Sequence, residues 1–393
     1  MQEGLRTEAR AQLVQACRRT APVIGLRSRR LVVFLVSALF GKVAMAASPP
    51  STDMVAAGML QNAVEEASRA APTMPLETAL SRFRLRDPTT SFRSRKAGTE
   101  SNGIALLPRH RPNGVTPGEW EALRASGIKI DSENGGADFQ LLDLDGDGLR
   151  DLVVTAYIGG TGLFNETQVL LRKGNRFRND ARRPILYSIG DRGGNQAAVW
   201  IRLAGKIYVA YRDGRHGADT LLLLRPDEVQ SSVPELTVRY RYTLSLGQEP
   251  REVGANATGR RGNSKLRPAA EAALQRAVRL AEQALPEAAE GPCPAPANVE
   301  PDREPEYTHY GPGHYTVEAI ADVPVWIGRQ CHPARLQGWF GRYSAEHGLQ
   351  AQFCVRDPYR EPADEQCFDV KGARSLLRVE RRLRQDAGET LAE

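Results

Sequence analysis

Cysteine pairs at C-x-x-C spacing are missing from this chain, and so are the G-x-S-x-G, H-E-x-x-H and Walker-type glycine–lysine patterns. Their absence removes the common signatures of zinc ribbons, α/β-hydrolases, zinc proteases and nucleoside-triphosphate enzymes. Long hydrophobic runs are missing too. LVVFLVSALF (31–40) is only ten residues long, too short to span a bilayer as a helix. Net charge of one sign is absent once the N-terminus is set aside. Residues 1–46 hold eight basic residues (Arg6, Arg10, Arg18, Arg19, Arg27, Arg29, Arg30, Lys42) and two acids (Glu3, Glu8), the whole formal excess of +6. Residues 47–393 then carry 45 bases and 45 acids, so they lack the positive surplus a nucleic-acid partner requires.

The apolar run is preceded by Arg27, Arg29 and Arg30 and followed by Ala44-Met45-Ala46. A charged n-region, a short h-region and an A-x-A site predict a secretory signal peptide over 1–46, cleaved near Ala46. Ser28-Arg29-Arg30 leaves Sec and twin-arginine export both open. The mature chain is then expected in the periplasm or secreted, without a transmembrane segment.

Cysteines agree with export. Beyond Cys17, four remain: Cys293, Cys331, Cys354 and Cys367. An even number in an oxidising compartment predicts two disulfides, the alternative being one zinc bound by four thiols. AQFCV and QCFDV read as antiparallel neighbours, which puts Cys354 opposite Cys367 and leaves Cys293 for Cys331.

Along the chain, the fold class expected is mainly β with helical N-terminal and linker segments. A blade-like β-repeat domain would be joined to a small disulfide-bonded β domain. Residues 47–130 read as a partly helical or disordered leader. TDMVAAGMLQNAVEEASRA (52–70) has helical composition, and 86–115 lacks periodicity. Thr116-Pro117-Gly118-Glu119 has the order of a capped helix start, ending at Gly127. Residues 131–246 change to short β-branched and aromatic runs between Gly-rich turns. Within them 152–172 echo 206–225, with Ala156-Tyr157 and Ala210-Tyr211 54 residues apart, a spacing that suits blade-like units. Residues 247–305 form a linker with one helix, on which Leu274, Val278, Ala281 and Leu285 share a face before Pro286. Residues 306–373 form the disulfide-bonded β domain, with Trp326 and Trp339 as expected core residues. Residues 374–393 are a charged, helical tail.

The stretch DLDGDGLRDLVV (143–154) concentrates four like charges ahead of a strand. Calcium loops place oxygens at positions 1, 3, 5, 7 and 9, with glycine at 6. Asp143, Asp145, Asp147, the carbonyl of Leu149 and Asp151 fill those places, with Gly148 at 6. Val154 stands where an EF-hand needs glutamate, and the flank is a strand, which excludes that sensor class.

LLDLDGDGLRDLVV resembles the D-x-D-x-D-G-x-x-D-L loop of the FG-GAP and VCBS-type extracellular β-repeats. The resemblance spans residues 139–174; the second copy is degenerate and has AAVWIRLAGKI in place of the acids. It implies calcium at Asp143, Asp145, Asp147 and Asp151, in a loop between two strands of a blade.

Candidate catalytic groups are sparse. Arg212, Asp213, His216 and Asp219 share one hairpin segment and read as a solvated turn. Gly159-Gly160-Thr161-Gly162 reads as a β-turn, and Tyr307, His309, Tyr310, His314 and Tyr315 as an ordered loop. No catalytic residue is assigned. The expectation is an exported bacterial envelope protein whose calcium-stabilised β-repeat domain is a binding or interaction module for an envelope protein or glycan ligand, with an envelope hydrolase acting on glycan or peptidoglycan as the alternative.

Overall fold

The computed structural model describes residues 51–86, 89–94, 103–160, 163–190, 196–215, 217–252, 266–282, 293, 317–344, 348–359 and 364–385. The chain divides into two units, Met1–Pro49 and Pro50–Glu393, and every described residue belongs to the second. The expected signal peptide therefore lies outside the described residues, as do His216, Tyr307, His309, Tyr310, His314, Tyr315, Leu285 and Pro286.

The helices are α1 (Thr52–Ala70), α2 (Pro75–Phe83), α3 (Pro117–Ala125) and α4 (Leu266–Glu282). The first eight strands are β1 (Thr90–Arg93), β2 (Ile104–Ala105), β3 (Ile130–Asp131), β4 (Ala137–Leu142), β5 (Asp151–Gly159), β6 (Phe164–Lys173), β7 (Arg176–Asn179) and β8 (Tyr187–Gly190). The others are β9 (Gln196–Leu203), β10 (Lys206–Arg215), β11 (Ala218–Leu224), β12 (Ser232–Glu252), β13 (Val317–Ile327), β14 (Gln330–Ser344), β15 (Gly348–Asp357) and β16 (Asp364–Gln385). The protein is mainly β, with two disulfides and a curled eight-stranded sheet. None of the described helices is long and apolar enough to cross a membrane.

Two sheets organise the molecule. The smaller runs β1-β4-β5-β6-β7, with β8 on β6; the larger runs β13-β14-β15-β16-β12-β11-β10-β9. β5 carries the near-continuous apolar run of a strand buried on both faces. Leu152, Val154 and Ala156 join Phe139, Leu141 and the α3 residues Ala122 and Leu123 in one cluster. Val153 turns the other way, with Leu142, Leu144 and Val169, onto Ile207, Val209, Leu222 and Leu224 of the larger sheet. The two sheets thus share a core. The far face of the larger sheet (Tyr208, Leu221, Leu223, Leu236, Val238) is covered by α1, α2 and α4. Each fully buried Leu or Val in these layers stabilises by about 1.5–3 kcal/mol.

Local chemistry explains the helix ends. Ser51 Oγ accepts from Met54 N at 3.3 Å at the start of α1, whose buried face is mostly alanine: Ala56, Ala57, Ala63 and Ala67. Small side chains let that helix lie close against the sheet. α3 has the full capping box: Glu119 N donates to Thr116 Oγ1, and Thr116 N donates to Glu119 Oε2 at 2.7 Å. Cys354 and Cys367 are register partners on β15 and β16 and form one disulfide. Cys293 and Cys331 form the other. All four thiols are consumed, which removes the zinc alternative.

Several expectations need correction. The boundary between a 131–246 domain and a 306–373 domain does not exist as a break in the sheet, because β12 pairs with β16 from Ser232↔Gln385 to Glu252↔Gln366. The two copies of the internal repeat part company instead: β5–β6 lies in the smaller sheet and β10–β11 in the larger. Within the partly helical segment 47–130, α1 and α2 pack into one core and α3 into another. Within 86–115, β1 pairs with β4 and β2 with β3. The charged tail is not helical up to Gln385. It continues β16, because β12 offers a long unpaired edge and backbone pairing outweighs helix propensity. Trp326, expected in the core, is 52% exposed, since β13 is the edge strand.

Candidate metal centre

The acidic loop closes the β4–β5 hairpin, between the paired residues Leu142 and Asp151. Its aspartates fold it by capping their own backbone. Asp143 accepts from Gly146 N at 2.8 Å through Oδ1 and from Gly148 N at 3.0 Å through Oδ2. Asp145 Oδ1 accepts from Asp147 N at 3.2 Å, and Asp147 Oδ1 from Leu149 N at 2.8 Å. Such Asx turns need backbone that L side chains rarely adopt at two points. Gly146 and Gly148 supply it, with φ +80° and +83°.

Asp151 is 1% exposed. Its Oδ2 accepts from Leu144 N at 3.0 Å and its Oδ1 from Arg172 N at 2.7 Å. Burial pushes this carboxyl up to about 6, and the Asp145 and Asp147 charges add to the rise, while the two N–H groups work against it. Oxygens of Asp143, Asp145 and Asp151 lie within 4.8 Å of one another. Asp147 is exposed and is not in that group, so the structure brings together three of the four predicted carboxylates. Lys173 Nζ stands 3.5 Å from Asp145 Oδ2. The donors are all oxygen, and they include a buried carboxylate whose hydrogen bonds are to backbone rather than to a cationic side chain. That set suits a hard cation. The cluster of Cys354, Cys367 and Glu365 offers no comparable site, because its sulfurs are bonded to each other.

Behind the loop, Arg150 fixes the hairpin to α3. Its Nε and Nη2 donate to Glu119 Oε1 and Oε2 at 2.8 and 2.6 Å. Desolvation alone would raise the Glu119 carboxyl, but the Arg150 and Thr116 hydrogen bonds win and hold it at about 2. A folded pKa below the ordinary 4.5 means stability present above pH 4.5 and lost as pH falls towards 2. Glu119→Gln should therefore lower stability at pH 7 by about 2 kcal/mol, the size of a hydrogen bond to a charged group. In urea titrations that gap should close between pH 4.5 and 2; a gap independent of pH would mean the charge contributes nothing.

The loop forms one wall of a cavity of about 550 Å³, and the tip of the β9–β10 hairpin forms another. Leu203 and Lys206 pair across that tip. Ala204 and Gly205 turn it with φ +48° and +78°, as two-residue hairpin turns require. The second repeat, which lacks the acids, thus ends in a tight turn facing the acidic loop of the first.

Compared with protein-family models, with curated proteins and with solved structures, the chain matches none.

The structure also holds a charged cluster that the sequence reading treated as a solvated turn. Asp219, 1% exposed, accepts from Arg212 Nε at 2.8 Å and from the Tyr240 hydroxyl. Arg374 Nη1 lies 3.6 Å from Asp219, and its guanidinium lies 4.0 Å over the Tyr240 ring. Glu77 of α2 completes the set, 3.2 Å from Arg212 and 3.0 Å from Arg374. An acid opening the apolar run ADTLLLL was the only sequence signal for its burial. The partners come from α2, β10, β12 and β16, which no local pattern brings together.

Proposed function

We propose that this chain is an exported bacterial envelope protein in which a calcium ion stiffens the β4–β5 hairpin, and that the β unit so stabilised is a binding or interaction module. The supporting observation is the convergence of Asp143, Asp145 and Asp151 within 4.8 Å at a hairpin tip whose glycines have positive φ. Asp147 and the Leu149 carbonyl complete the ligand set by a small closure of the same loop, as in the FG-GAP and VCBS-type repeats it resembles. Two disulfides suit the oxidising compartment that the N-terminal segment implies. The partner is an envelope protein or glycan.

Calcium binding to the folded state alone should raise stability by about 2.7 kcal/mol at 100 Kd. Melting of the mature chain in calcium and in chelator tests this, beside Asp147→Asn, which keeps size but loses a ligand charge. One site is expected by calorimetry, since the second repeat lacks acids. Identical melting in both media, with no heat of binding, would reduce the loop to a solvated turn. For export, N-terminal sequencing of envelope-fraction protein should find Ala47 first; an intact Met1 would refute cleavage.

A further inference from the structure

We infer that Lys173 is a tethered counter-ion of the acidic loop, which competes with calcium for Asp145 and so regulates how readily that site fills. The inference rests on the calcium reading above and adds what tunes the site. Lys173 is the last residue of β6, the strand that pairs with β5 beside the loop. Successive side chains of a strand point to opposite faces. Arg172 accordingly turns towards α3, where its Nη1 lies 4.0 Å from Glu119 Oε1, and Lys173 turns to the loop. Its Nζ lies 3.5 Å from Asp145 Oδ2.

Two features single this lysine out. Among the described residues it is the only basic side chain within ion-pair distance of Asp143, Asp145, Asp147 or Asp151. Arg150, the neighbour of Asp151, is paired with Glu119 instead. The internal repeat supplies the second feature. Residues 170–172 and 223–225 are both Leu-Leu-Arg, followed by Lys173 in the first copy and by Pro226 in the second. The copy without the acids is also the copy without the lysine.

Charge and geometry say what the lysine does there. Asp145 Oδ1 accepts from Asp147 N at 3.2 Å and shapes the turn. Oδ2 is therefore the oxygen more open to a cation, and the ammonium stands on it. The four aspartates carry four negative charges and Lys173 cancels one, so calcium meets a less attractive site than the acids alone would make. In calcium-free protein the same ammonium relieves part of the repulsion among the aspartates. Its side chain is 56% exposed, so it can swing into water without disturbing the core. An exposed pair of this kind shifts an equilibrium by about two- to fivefold, and repulsion between the ammonium and a divalent ion adds to that. The arrangement suits a site that fills only where calcium is plentiful, in the range of roughly 10⁻⁴–10⁻³ M found for extracellular modules.

The test is calorimetric titration of the mature protein with calcium chloride at fixed ionic strength, beside Lys173→Met, Lys173→Arg and Lys206→Met. Lys206 lines the cavity next to the loop but makes no ion pair with its aspartates among the described residues, so it controls for net charge. Lys173→Met is expected to bind calcium about three- to tenfold more tightly than the wild type. Lys173→Arg, which keeps the charge, should stay within about twofold, and Lys206→Met should change the affinity less than Lys173→Met. In chelator Lys173→Met should melt below the wild type, and in saturating calcium that difference should vanish or reverse. A lysine that merely supports the fold would not give such a crossing. Calcium binding by Lys173→Met that is equal to or weaker than that of the wild type would overturn the inference and leave the calcium reading intact. Equal tightening by Lys206→Met would overturn it too, since net charge would then explain the effect. No heat of calcium binding from either the wild type or Lys173→Met would remove the calcium reading and this inference with it.

Discussion

Replacing Asp219 by alanine is expected to lower the folding stability by about 3–5 kcal/mol, the range for removing one partner of a buried ion pair. Asp219 and the Arg374 side chain are each 1% exposed and face each other at 3.6 Å. Arg212, only 20% exposed, lies 2.7 Å from Asp219. Without the aspartate, Arg212 and Arg374 would lose a buried counter-charge they share, and the Tyr240 hydroxyl would lose its acceptor. Burial and the Asp219 charge already push the Tyr240 phenol well above its ordinary range, so it stays a neutral donor that needs that oxygen. The large penalty comes from stranded charge rather than from strong net attraction. Changing Asp219 and Arg374 together to apolar residues should accordingly cost less than changing Asp219 alone. Urea denaturation of the three variants reads this out. A loss below about 1 kcal/mol for Asp219→Ala would mean that water reaches the cluster.

Removing the Cys293–Cys331 disulfide should be nearly as damaging. It closes 38 residues of chain, and the loop-entropy relation gives about 3.9 kcal/mol for that length. Cys354–Cys367 closes only 13 residues, for which the same relation gives about 2.9 kcal/mol. That second bridge also joins residues already paired in register on β15 and β16. Cys293, by contrast, is held to β14 by its sulfur. Paired Cys→Ser variants measured under oxidising conditions should therefore rank the first bridge as the costlier loss. The reverse order would show that native packing, and not the freedom of the unfolded chain, sets the contribution.

Much of this protein was decided by its sequence alone. The capping box at Thr116–Glu119, the Ala-rich α1, the β-branched runs of β4 to β12 and the glycines of the acidic loop all express dihedral preferences and local burial, which neighbouring residues suffice to specify. The opposed positions of Cys354 and Cys367 were legible for the same reason, since a hairpin's register is local. The convergence of Asp143, Asp145 and Asp151 followed from their spacing about Gly146 and Gly148. What only the tertiary structure decided is which distant strands share a sheet. β16 pairs with β12 more than a hundred residues earlier, so a tail composed like a helix is a strand, and two apparent domains share one sheet. The same long-range pairing buried Asp219 between Arg212 and Arg374, although its own neighbours read as a solvated turn. It also set the basic tip of one repeat against the acidic tip of the other. Hydrogen bonding between strands is satisfied by whichever edge arrives, and a residue's sequence neighbours carry no record of that edge.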